Sequence, residues 1–262
     1  MLRPLLSATL LAALAVPVFA QTQGEFRWER ALPAGNEVSV DNISGNIRVT
    51  TSTSGKVEVV GKKHGDSRYF DRIRADVEQT SHGVVVCVLY DDAESCDNPG
   101  SNNRRRHSDD WGDGVSMSLD VAVPTNLLVS AHNVSGDISV TGAHGDIDIG
   151  TVSGDVRLEK LHADGVRANS VSGDVEIQVD EFTGRGDLRF HSVSGDITLT
   201  APKNFDADIS MSTVSGDVDS DFPLVVGSGR MRRRNIEARI GNGGRRFDVS
   251  TVSGDLRIRS AM

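Results

Sequence analysis

The residues with the greatest chemical capacity in this chain are aspartates that recur behind the same three letters. Val-Ser-Gly-Asp is written at 134–137, 152–155, 171–174, 193–196, 214–217 and 252–255, with Ile43-Ser44-Gly45-Asn46 as an early relative. Its serines are Ser135, Ser153, Ser172, Ser194, Ser215 and Ser253, and its glycines Gly136, Gly154, Gly173, Gly195, Gly216 and Gly254. The carboxylates are Asp137, Asp155, Asp174, Asp196, Asp217 and Asp255. If successive units stack, neighbouring carboxylates lie about 5 Å apart, the spacing of paired strands. Two bare charges there repel by about 3 kcal/mol at an effective dielectric near 20. Two chemistries relieve this. Backbone N–H groups of the Ser-Gly turn, or a neighbouring Ser hydroxyl, donate to each carboxylate; or divalent cations, calcium above all, sit between units. The spacing lacks the Gly-Gly-x-Gly-x-Asp pattern of calcium-binding nonapeptide repeats. A hydrogen-bonded, structural Asp column is therefore expected, with no cofactor assigned and calcium as the alternative.

Other candidates are sparser. His144 and His162 each follow a motif glycine by eight residues, beside Asp146 and Asp164, so they fall on adjacent units. A His/Asp metal site is one reading; two loop histidines is the favoured one, because no third unit continues the pattern. The stretch 103–113 combines Arg104, Arg105 and Arg106 with acidic residues and Trp111. That mixture suits recognition of a glycan or anionic envelope polymer, the indole stacking on a sugar face; a solvated excursion is the alternative. No Gly-x-Ser-x-Gly elbow, His-Glu-x-x-His pair or phosphate loop occurs. A six-fold Ser-Gly-Asp is a structural rule, since catalytic constellations are normally singular. A non-enzyme is expected.

What must position these residues is a repeat. From Ser135 to Ser253 the steps are 18, 19, 22, 21 and 38 residues, the last about two ordinary steps. A period near twenty signals stacked supersecondary units. Each unit carries an apolar pair before the motif, such as Ile147 and Ile149, and another after it, such as Val156 and Leu158. The first pair ends three residues before the motif valine. Strand alternation has period two, so a three-residue step flips parity, and the chain must turn a corner there or carry a bulge. On this scheme Val152, Gly154, Val156 and Leu158 face the core, and Ser153, Asp155, Arg157 and Glu159 face solvent. The expected fold is all-β: a parallel β-solenoid of two opposed sheets with about 19–22 residues per rung, a β-sandwich being the alternative. Motif valines facing water, or Ser-Gly-Asp segments scattered in space, would remove the ground for a scaffold.

The chain has 262 residues. Arg3, the apolar run 5–16 and Val18-Phe19-Ala20 read as a signal peptide over 1–20, cleaved between Ala20 and Gln21. The run is too short to span a bilayer, and no later stretch approaches the roughly twenty residues required, so the mature chain is expected without a transmembrane segment, exported to the periplasm, the cell surface or beyond. Losing Arg3 moves the net charge from -9 to -10, which disfavours nucleic acid as a partner. Residues 21–262 read as one domain: a meander over about 24–126 with an exposed loop at 91–114, then a regular array over about 127–262. The degenerate unit within the long step is 236–240, flanked by 230–234 and 242–246, whose arginines guard the sheet end. Cys87 and Cys96 are the chain's two cysteines and read as a local disulfide.

The Ser-Gly-Asp-apolar-x-apolar repeat from Ser135 to Ile258, entered through Leu119-Asp120-Val121-Ala122-Val123-Pro124, resembles the bacterial putative-adhesin family. That resemblance implies a β-solenoid-like fold in a cell-envelope setting and carries no assigned function. The expected role is an adhesin-like, non-catalytic scaffold presenting its repetitive surface and loops to an envelope glycan or protein. An envelope-stress sensing component is the alternative, and a lateral-face polysaccharide-degrading enzyme a distant third.

Overall fold

The computed structural model describes residues 20–22, 24–91, 93–96, 114–226 and 235–261. Strands β1 (Ala20–Thr22), β2 (Glu25–Arg30), β3 (Glu37–Ser44), β4 (Ile47–Thr51) and β5 (Val57–His64) come first. A 3-10 turn, Ser67–Arg72, leads to β6 (Ile73–Gln79), β7 (Gly83–Tyr90) and β8 (Ser116–Val123). The array holds β9 (Leu128–Ser135), β10 (Ile138–Thr141), β11 (His144–Ser153), β12 (Val156–Ser172), β13 (Val175–Phe182), β14 (Leu188–Ser194) and β15 (Ile197–Ala201). It closes with β16 (Ala207–Ser215), β17 (Val218–Ser220), β18 (Val225–Val226), β19 (Asn235–Ile240), β20 (Arg246–Ser253) and β21 (Leu256–Ser260).

Each rung crosses from one sheet to the other at its Ser-Gly-Asp corner, and rungs pair in parallel and in register. One sheet runs β3, β9, β11, the second half of β12, β14, β20, β16. The other runs β4, β10, the first half of β12, β13, β15, β21, β17. In-register parallel stacking identifies a β-solenoid and excludes the sandwich. The expected apolar pairs all reach the core: Ile147 and Ile149, Leu188 and Phe190, Val156 and Leu158 belong to one buried cluster fed by both sheets. Each such side chain contributes about 1.5–3 kcal/mol on burial.

Three expectations need correction. First, the motif valines face water, from 38% exposed at Val193 to 51% at Val214. The strand runs straight through them. Beyond Leu188 and Phe190, alternation places Ser192 inside and Val193 outside, and the corner comes two residues later, at Gly195-Asp196. Their exposure removes the ground that the sequence offered for a scaffold; the Ser-Gly-Asp segments do stack, so the array itself stands. Second, the spatial order of rungs departs from the sequence. Ser194 pairs with Ser253, and Ser215 lies beyond it. The last rung, β20–β21, is inserted between β14–β15 and β16–β17. The 38-residue step is the excursion this needs, and 236–240 is no rung: β19 runs antiparallel along β16. Third, the meander contributes to the stack, because β7 and β8 pair in parallel with β3 and β4 as a further rung without the motif. Antiparallel β6 and β5 lie outside them.

Cys87 is bonded to Cys96. With Leu89 and Ala93 the pair forms a second, small apolar cluster. Alternation points Cys87 and Leu89 away from the main core, and segment 93–96 covers them.

Candidate interaction surface

The corner explains why the motif has its letters. Gly173 has φ +132°, and a Cβ there would collide with the carbonyl of Gly154 on the next rung; only glycine fits. The turn leaves the aspartate N–H without a strand partner, and the neighbouring aspartate supplies one. Asp155 N–H donates to Asp137 Oδ1 (3.0 Å), Asp174 N–H to Asp155 Oδ1 (3.0 Å) and Asp196 N–H to Asp174 Oδ1 (2.8 Å). The inserted rung continues the chain of bonds: Asp255 N–H to Asp196 Oδ1 (2.8 Å), then Asp217 N–H to Asp255 Oδ1 (2.9 Å). At the other end Asn46 Oδ1 accepts from Asp137 N–H (3.0 Å). The expected hydrogen-bonded column is present, with the donor on the adjacent rung instead of within the same turn.

Charge along the column is uneven. Arg257 bonds Oδ2 of Asp196 and Oδ2 of Asp255, both at 2.6 Å. The Asp255 N–H, and next the Arg257 guanidinium, hold the Asp196 carboxyl below its usual range. Asp137, Asp155, Asp174 and Asp217 have no ion-pair partner among the described residues. Among the described residues no group of three or more His, Cys, Asp or Glu is placed to hold a metal ion.

Beneath the corner runs a second ladder that the sequence reading missed. Asn42, Asn133, Thr151, Ser170, Ser192 and Thr251 are buried polar residues in register across successive rungs. Asn133 Nδ2 donates to Gly45 O (2.7 Å) and to Gly136 O (3.0 Å), tying two corners together. Ser170 and Ser192 are too short to repeat this, and their hydroxyls have no partner among the described residues. The signal was a polar residue immediately before every motif valine.

His144 and His162 do occupy adjacent rungs, stacked at 4.6 Å with an interplanar angle of 13°. Stacked rings hold their lone pairs in parallel planes, so they do not converge on one ion. Glu181, on the following rung, lies 3.3 Å from His162 Nδ1. Asp146 and Asp164 accept from the N–H of Gly165 (3.0 Å) and Gly186 (2.7 Å). Arg245, expected in an exposed charged flank, is 6% exposed. It donates to the carbonyls of Asp164, Gly184 and Gly186 and lies 4.4 Å over the Phe182 ring. The cleft of about 380 Å³ beside it thus abuts a structural arginine. Residues 1–19, Arg104, Arg105, Arg106, Trp111 and 230–234 lie outside the described residues; Ala20 and Gln21 are in β1, paired with β2. Among the described residues no helix is long and apolar enough to cross a membrane.

The solved structure of a putative cell adhesion protein from Clostridium sporogenes is similar over 90% of this chain and 99% of its own, with 10% identity and a TM-score of 0.50. That of a putative adhesin from Bacteroides fragilis is similar over 92% and 98%, with 15% identity and a TM-score of 0.44. No curated protein matches the chain. The family model described as Toastrack DUF4097 matches residues 18–259. With a solenoid of this form and a match over nearly its whole length, the chain belongs to the Toastrack DUF4097 family.

Proposed function

We propose that the chain is an exported, adhesin-like, non-catalytic scaffold that presents its Val-Ser-Gly-Asp edge to a component of the cell envelope. One observation carries this reading: six valines, each between 38% and 51% exposed, stand in a row at uniform rung spacing. Contiguous apolar surface on soluble proteins commonly marks contact sites. The signal-like segment before Gln21 supports export. The motif serines and aspartates support binding over catalysis, because each unit repeats the same groups and none is singled out by a base or nucleophile. The experiment is retention of envelope components from the source cell on immobilised mature chain, beside a polysaccharide turnover assay. Saturable retention without turnover is expected. Turnover, or no retention at all, would contradict the reading.

A further inference from the structure

Every large apolar side chain that the described residues expose lies either in the valine row or at Val225 and Val226. In space the row runs Ile43, Val134, Val152, Val171, Val193, Val252, Val214, each flanked by register-paired residues on neighbouring strands. We propose that this row docks a cationic amphipathic helix of a partner protein; the inference rests on the scaffold reading and names the chemistry of its partner.

Length and period favour a helix. Six steps of about 4.8 Å make a row of roughly 29 Å, which a helix of about 20 residues matches at 1.5 Å per residue. The apolar stripe of a helix advances by about 5.4 Å per turn, close to the rung spacing. Same-face residues of an extended strand recur every 6.8 Å or so and drift out of step within two rungs.

Charge selects the flank. On the corner side the row is followed by the exposed motif serines and, past the glycines, by the Asp column, where Asp137, Asp155 and Asp174 each spend Oδ1 on the next N–H and keep Oδ2 for a partner. Lys or Arg along one edge of the helix meets these carboxylates and relieves their mutual repulsion. The opposite border carries Asp41, His132, Gly150, Asn169, His191, Ser250 and Ser212 in register; its one carboxylate, Asp41, faces His132 at 3.6 Å, so the acidic column lies on the corner side. A glycan fits less well, because the row offers aliphatic methyls and no aromatic ring for a sugar face.

The test uses mature chain and a labelled 20-residue Leu/Lys amphipathic peptide, with binding read by fluorescence anisotropy at several salt concentrations. Wild type is expected to bind it and to ignore a peptide with Glu in place of Lys. V134T/V152T/V171T/V193T, which keeps β-branched side chains on the surface, is expected to bind at least tenfold more weakly. D137N/D155N/D174N is expected to weaken binding and flatten its salt dependence, Asn46 showing that Asn holds the same ladder bond. Equal binding by wild type and the threonine variant, both folded by circular dichroism, would overturn the proposal. So would failure of the peptide beside binding of an amino-sugar oligomer, which would assign the row to a glycan. If wild type retains envelope components but does not bind the peptide, the helix is wrong while the scaffold reading stands; if the threonine variant retains them as wild type does, the valine edge is wrong for both.

Discussion

The backbone N–H of Asp155 donates to Oδ1 of Asp137 at 3.0 Å, across two rungs that are 18 residues apart in the chain. Each motif aspartate but Asp217, the last in the stack, thus caps its neighbour's corner, and the bond depends on the oxygen more than on the charge. Asp155→Asn should change stability by less than about 0.5 kcal/mol, whereas Asp155→Ala, which strands the Asp174 N–H, should cost about 1 kcal/mol. Urea unfolding of the two variants decides between them.

Acid should loosen this edge. The carboxyl of Asp196 is held low by the Asp255 N–H and Arg257, and those of Asp206, Asp208 and Asp221 are also lowered by hydrogen bonds. A lowered folded-state pKa adds stability that is complete above the unfolded value, about 3.9, and is lost as pH falls through the folded one. Asp41, raised by burial, acts in the opposite sense. His144, lowered by burial and by neighbouring His162, loses stability as pH falls through about 6.5, so the urea midpoint should ease between pH 7 and 5 and fall further below about pH 4, the lower fall less steep in Asp196→Asn.

The buried polar ladder gives opposite results at two of its members. Ser192 is 0% exposed and its hydroxyl is unpartnered among the described residues, so Ser192→Ala should be neutral or stabilising. Asn133→Ala removes bonds to Gly45 O and Gly136 O and should cost about 1–3 kcal/mol. Thermal melts of both variants check this.

Gly173→Ala should cost at least about 2 kcal/mol, because φ +132° and the Gly154 carbonyl both oppose a side chain. Calorimetry of that variant measures the corner directly.

The melting temperature should be the same in calcium and in chelator, since the Asp column satisfies itself through N–H groups. A rise in calcium would revive cations between rungs.

The apolar pairs were legible from the sequence because burial on both sheets leaves a period-two record, as in Ile147 and Ile149. The orientation of Val152 was not. An exposed valine and a buried one look alike in a strand, since β-branching favours the extended backbone in either place, and the inward Thr151 reads as surface. The bond from Asp155 to Asp137 follows from stacking once glycine is placed at the corner. Rung order left no trace, because Ser215 and Ser253 carry the same motif and nothing local says which one neighbours Ser194. The burial of Arg245 depends on three carbonyls from another part of the chain, and spacing holds no sign of them.

The rung order is also where the account is most exposed. Paired strands bring Cα atoms to about 4.8 Å, within reach of a disulfide, while a separation of two rungs exceeds the limit of about 7 Å. Under mild oxidation, monomeric S194C/S253C should form an internal disulfide and S194C/S215C should not. Bridging of S194C/S215C, with S194C/S253C left reduced, would contradict the inserted final rung and the continuous edge built on it.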